Sequence, residues 1–165
     1  MRLWHKDLIP YLPRQQLLAQ WRECCAICSN IANKGTPNHL LVNKVLSSRG
    51  DFYAYCGGVI GELEKRGYKV SFRTLNTCID NILACNNFET DSTHFNIFPN
   101  WHNERYLKQC LFNLQEKYDC GGIPENEWKR IEEKFGEYLE LNSELEELRE
   151  FKRTHQPLYI DPMSC

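Results

Sequence analysis

At 165 residues the chain is long enough for one ordinary domain with a real core and too short for two of typical size. Its 42% hydrophobic and 25% charged residues are close to the globular average and exclude disordered, collagen-like and membrane classes as starting points. The net charge of -2 divides unevenly: residues 1–124 carry 14 Lys and Arg against 11 Asp and Glu, giving +3, and residues 125–165 carry 6 against 11, giving -5.

A weakly basic body therefore bears an acidic tail, a division compatible with nucleic-acid contact but too mild to demand it. Met1 to Trp4 is followed by His5, Lys6 and Asp7 instead of an apolar signal-peptide core, so a cytoplasmic location is expected. Nine cysteines form an odd set without an export signal, which predicts free thiols packed as small hydrophobes rather than a disulfide framework.

Residues Pro13 to Asn33 predict the first helix, with Leu17, Leu18, Trp21, Cys24, Cys25, Cys28 and Ile31 recurring at the helical period. Pro13 suits its first turn and Gly35 its exit. Thr36-Pro37 predicts a second start, as N-cap and N1, of a helix running through Leu40, Leu41 and Val45 to about Ser48–Gly50. Asp51 is the expected cap of a third helix ending at Arg66 and Gly67, within which Gly57, Gly58 and Gly61 read as close-packing positions.

Ser71 opens a fourth helix through Leu75, Ile79, Ile82 and Leu83. Residues Asn86 to Asn100 lack a helical period and predict a long loop, the kind of segment that often carries function. Trp101 to Tyr118 is helical again, and Gly121-Gly122 marks the edge of the body. Beyond it, Glu125 to Arg153 predicts one acidic amphipathic helix or two, with Ser143 and Glu146 as a dividing capping box. The expectation is an all-α fold: a compact helical domain over residues 1–122 and an acidic helical extension over 123–165, whose apolar stripe packs on the body or on another subunit or partner.

The side of the first helix that escapes the apolar stripe carries Gln15, Gln16, Ala19, Arg22, Glu23 and Ala26. A carboxylate beside a guanidinium on a strip of small residues suits acid or base chemistry near an anionic substrate. The same residues also suit a solvated helix edge. Cys25 and Cys28 form a lone CxxC on the apolar stripe, where core packing outweighs zinc or redox chemistry. His5-Lys6-Asp7 is not a spaced HxKxxxxD motif, and no phosphate-binding glycine loop is present. His94 and His102 are expected to be solvated loop histidines, while Phe98 and Trp101 suit either stacking on a base or anchoring the loop.

The block MRLWHKDLIPYLPRQQLLAQWREC resembles the N-terminal signature of the pyrimidine-dimer DNA glycosylase family, of the endonuclease V type. TPNHLLVNKVL, EKRGYKV and IFPNWHNERYLKQCLFNLQEKY resemble later helices of that family, extending the likeness over about residues 1–120. The resemblance implies a compact helical domain that excises the 5′ base of a cyclobutane dimer in kinked, ultraviolet-damaged duplex DNA and then cleaves the strand as an AP lyase, with neither metal nor organic cofactor. It implies the α-amine of Met1 as nucleophile, retained because Arg2 is bulky, with Glu23 as the assisting carboxylate and Arg22 beside it.

Arg2, Arg14, Gln16, Lys44, His39 and Asn43 are the implied DNA contacts. The chain departs from the family pattern by one extra residue before the first helix, and by Gln16 and Ala26 where the family has a histidine and a second arginine. Those two replacements and the acidic tail suit a rival reading, a non-catalytic nucleic-acid or protein-binding module that keeps the fold.

Overall fold

The computed structural model describes residues 2–139. Five α-helices follow in order: α1 (Arg14–Lys34), α2 (Arg49–Lys65), α3 (Phe72–Ala84), α4 (Glu104–Asp119) and α5 (Glu125–Phe135). Short 3-10 helices cover Lys6–Tyr11, Leu40–Ser47 and Gly136–Tyr138, and there is no strand among the described residues. None of these helices is long and apolar enough to cross a membrane. The capping box at Ser143 and Glu146 lies outside the described residues.

Helix α1 is central because its apolar stripe is wide enough to serve two neighbours, and it packs on both α2 and α3. Leu17, Cys24, Ile27, Cys28 and Ile31 are fully buried along it. The helix ends where expected: Gly35 adopts a left-handed φ of 68° and donates its N–H to the Ile31 carbonyl at 3.0 Å. A Cβ there would also displace the Asn87 side-chain nitrogen, which donates to the Gly35 carbonyl.

Four local expectations need correction. Ser48, not Asp51, caps α2: its hydroxyl accepts the Asp51 N–H at 3.1 Å. Thr36 closes a local turn onto Asn38 N–H, so the next helical segment begins only at Leu40 and is 3-10, with Leu40 87% and Leu41 60% exposed instead of packed. Gly57, Gly58 and Gly61 line an open face of α2, and a Cβ at any of them would meet nothing within 4 Å. Trp101 and His102 precede α4 in a turn, because Asn103 takes the cap position by accepting the Tyr106 N–H.

The loop from Asn86 to Asn100 is strapped to the start of α2. Asp51, 1% exposed, accepts the backbone N–H of His94 at 2.7 Å and of Phe98 at 2.8 Å, and pairs with His94 Nδ1 at 2.7 Å. Arg49 adds an ion pair to Asp91 and a bond to the Cys85 carbonyl. Gly50 makes the approach possible, since a Cβ would lie 2.5 Å from the Ser92 carbonyl oxygen. These partners replace the ladder that an irregular segment lacks.

Acidic α5 buries its stripe of Trp128, Ile131 and Phe135 against the body. Trp128 stacks on Tyr118 of α4 with ring centres 4.8 Å apart, and Phe135 meets Tyr11 edge-on. Burial of each such ring stabilises by about 1.5–3 kcal/mol, which offsets the weak apolar content of the rest of the helix.

Candidate active site

The N-terminal segment runs over this helical body without regular structure through residues 2–5 and then as the 3-10 helix Lys6–Tyr11, and side chains from elsewhere in the fold hold several of its backbone groups. Gln20 of α1, 1% exposed, accepts the Trp4 N–H at 2.9 Å. Tyr55 of α2 donates to the Trp4 carbonyl at 2.7 Å, and Tyr106 of α4 donates to the Leu3 carbonyl at 2.5 Å. His102 Nδ1 accepts the Lys6 N–H at 3.0 Å. Arg66 then holds the carbonyls of Pro10 and Leu12 while paired with Glu62. Five side chains from separate parts of the fold thus fix residues 3–12.

His102 is not solvated as a loop histidine would be. It is 3% exposed, and burial, with His5 and Lys6 nearby, pushes its pKa down to about 3. The ring is therefore neutral at pH 7, with Nδ1 as acceptor and the proton on Nε2. His5 stacks against it at 5.2 Å, its own pKa lowered first by burial. Trp101 and Phe98 pack against the His102 ring, so both act as anchors. Phe98 takes a left-handed φ of 51°, held by Asp51 on its N–H and by the N–H groups of Trp101 and His102 on its carbonyl.

Beside the fixed segment lies a cleft of about 550 Å³. Helix α1 supplies one wall through Gln15, Gln16, Ala19, Arg22 and Glu23. Arg2 and Trp4 come from the N-terminal segment, with the Arg2 guanidinium 5.4 Å from the Trp4 ring centre. Asn113 and Lys117 border it from α4. Spacings of three and four along α1 bring Gln16, Ala19 and Glu23 onto one strip, and alanine leaves depth between the longer chains.

Chemically, the cleft gathers one carboxylate, Glu23, among three cations, Arg2, Arg22 and Lys117. Such a surround suits a phosphate-bearing ligand, and the carboxylate suits a centre that develops positive charge. Gln16 lines the cleft, and its side-chain oxygen is buried without a hydrogen-bond partner among the described residues.

Of the residues named from sequence, Arg2, Gln16, Arg22 and Glu23 meet in this cleft. Met1 lies outside the described residues. Arg14 stands apart: its backbone N–H bonds Glu127 and its guanidinium lies 5.9 Å from the Tyr68 ring centre. Lys44 instead borders a second cleft of about 400 Å³ with His94 and Trp101. His39 is half-buried next to the 3-10 helix that carries Lys44, and Asn43 on that helix is exposed.

Gln20, Asn113 and Lys117 were not foreseen. Gln20 falls on the buried side of α1, where a lone polar residue on an apolar stripe is the one signal available for a buried acceptor. Nothing in the spacing of Asn113 and Lys117 tells that α4 borders α1 near the N-terminus.

No curated protein and no solved structure gives a significant match to the chain. A family model does match: residues 1–75, the stretch that contributes Arg2, Trp4 and the whole α1 wall of the cleft, resemble the pyrimidine dimer DNA glycosylase family.

Proposed function

We propose that the chain is a DNA glycosylase with associated AP lyase activity, acting on cyclobutane pyrimidine dimers in ultraviolet-damaged duplex DNA. The observation that supports this reading is the cleft itself. A single carboxylate among three cations lies beside a terminal segment whose backbone is tied to three helices, and Glu23, Arg2 and Arg22 fall within the stretch that resembles the glycosylase family.

In the proposed reaction the α-amine of Met1, bonded to the cleft residue Arg2, attacks C1′ of the damaged nucleotide, and the base leaves with the glycosidic electron pair. An α-amine, with a pKa of about 7.7–8.0, is partly neutral at pH 7 and so has a lone pair to give. Ring opening yields a Schiff base, and loss of a C2′ proton then expels the 3′ phosphate by β-elimination. Glu23 stabilises the positive charge at C1′ and at the imine and takes part in the proton transfers. Arg2, Arg22 and Lys117 hold flanking phosphates, and Gln16 on the same wall contacts the displaced nucleotide.

Incubation with an ultraviolet-irradiated, end-labelled duplex tests this reading. The expected result is strand cleavage at dipyrimidine sites that is absent from unirradiated duplex and weakened by salt. Binding without cleavage would instead identify a non-catalytic module, and no preference for irradiated DNA would remove the dimer as substrate.

A further inference from the structure

Two leucines stand exposed side by side, Leu40 and Leu41, at the start of the 3-10 helix Leu40–Ser47. One exposed leucine is ordinary, but an adjacent pair on a short, anchored element is a surface that favours leaving water. The helix itself shows how the pair is held. With three residues per turn, side chains three apart eclipse, so the eight residues form three columns. Val42 and Val45 make up the inward column and are fully buried. Leu40 lies in line with Asn43, and Leu41 with Lys44, all four exposed. The element is therefore an apolar tip with an amide and a cation one turn behind it.

This tip is tied to the side of α1 that carries Glu23. Asn30 follows Glu23 by two turns, roughly 10 Å along the same side of the helix. Its side-chain amide donates to the Pro37 carbonyl at 3.0 Å, which holds the chain just ahead of the tip. Asn38 then takes a left-handed φ of 59° and donates its N–H to Thr36 Oγ1, so the approach is a tight turn. At the other end, the Leu46 carbonyl accepts the Glu89 N–H, while Lys44 and Ser47 border the second cleft. Both ends of the element are thus fixed to the body.

From this placement we infer that Leu40 and Leu41 are a wedge that enters the base stack of duplex DNA bound over the candidate active site, with Lys44 on a phosphate behind them. The inference rests on the proposed reading of the chain as a DNA glycosylase. Attack at C1′ needs a nucleotide displaced from the stack, and its displacement leaves a gap between apolar base faces. Apolar side chains inserted at a base step unstack it and kink the duplex, and the surface they withdraw from water offsets part of the unstacking cost. Charge is complementary as well. Exposed Lys34 and Lys44 flank the tip in sequence, and Arg2, Arg22 and Lys117 line the cleft. A duplex is a polyanion with an apolar interior, which matches an apolar tip backed by a cation.

The test uses a duplex with one tetrahydrofuran abasic analogue, which has neither a base to release nor an aldehyde to form an imine, and 2-aminopurine in the facing strand. Binding of the native chain should raise 2-aminopurine fluorescence severalfold as the step unstacks. The double variant Leu40→Ala/Leu41→Ala should lose most of that rise at saturation and bind about tenfold more weakly, with an unchanged salt slope. Lys44→Ala should do the reverse, keeping the rise and reducing the slope by about 0.9. A duplex with mismatched pairs flanking the site, already unstacked, should restore most of the double variant's affinity. Because both leucines are exposed, the urea midpoint of the double variant should match that of the native chain. A native complex without a fluorescence rise, a double variant equal to native, or an undiminished loss on the mismatched duplex would each overturn the wedge and leave the glycosylase reading in place. A lowered urea midpoint would also overturn it, by showing the leucines covered within the chain. No binding of the native chain to any damaged duplex would overturn both readings.

Discussion

Gln20 Oε1 accepts the Trp4 backbone N–H at 2.9 Å, and this bond joins the buried side of α1 to the segment that carries Arg2 into the cleft. The same helix presents Glu23 on its cleft side. One helix therefore sets both the carboxylate and the path of the terminal segment, and Gln20, at the wall of the same cleft, links the two.

Gln20→Leu tests that dependence. Leucine is close in size but leaves the buried Trp4 N–H without an acceptor, which costs about 1–3 kcal/mol. A lower urea midpoint at unchanged m-value is expected, together with a fall in turnover on damaged duplex larger than the fall in DNA affinity. Unchanged turnover would separate the Gln20 bond from the chemistry.

Asp51→Asn tests the strap on the loop. The amide can replace one accepting oxygen but turns a donor toward groups that themselves donate, so the loss should reach about 2–4 kcal/mol. Faster proteolysis within residues 91–97 should accompany it. A loop equally resistant in both proteins would show that Asp51 does not hold it.

His102 gives stability a specific pH dependence. Its folded pKa of about 3 lies below the unfolded value near 6.5, so between those limits the unfolded chain binds more protons. Stability is therefore full above about pH 6.5 and falls as the pH drops toward 3, at up to about 1.4 kcal/mol per pH unit from this residue. Denaturation series at pH 7 and pH 5 check it: the native chain should lose about 2 kcal/mol, and His102→Gln, starting from a lower stability, should lose less. Equal losses in both would place the effect elsewhere.

Lys117 lies on α4, outside the stretch that matches the family, so it tests whether the cleft acts as a whole. Lys117→Ala should weaken binding to damaged and undamaged duplex alike and reduce the salt slope of log affinity by about 0.9, the value for one phosphate contact. Titrations across several salt concentrations measure it, and an unchanged slope would remove Lys117 from the interface.

Much of the fold was legible where local chemistry and packing agree. The stripe of α1 from Leu17 to Ile31, Gly35 as its C-terminal glycine and Ser71 as the cap of α3 all follow from short-range pattern. Pattern failed where one residue type fits two environments. Leu40 and Leu41 read as core yet stand exposed, the α2 glycines face open space, and His102 is sealed in an aromatic cluster. In the cleft, Gln16, Arg22 and Glu23 were readable as a polar strip on a helix, and Arg2 through the family resemblance. Lys117 and Gln20 become visible only once α4 and the terminal segment are laid against α1.

Borohydride reduction during incubation with ultraviolet-irradiated or abasic duplex tests the proposed chemistry most directly, because it freezes an imine as a covalent protein–DNA adduct. The native chain should give an adduct that maps to the amine of Met1 and disappears when that amine is blocked. Glu23→Gln should bind the duplex but give strongly reduced adduct from irradiated DNA. No adduct from the native chain, or an adduct that survives blocking of the Met1 amine, would contradict the assignment.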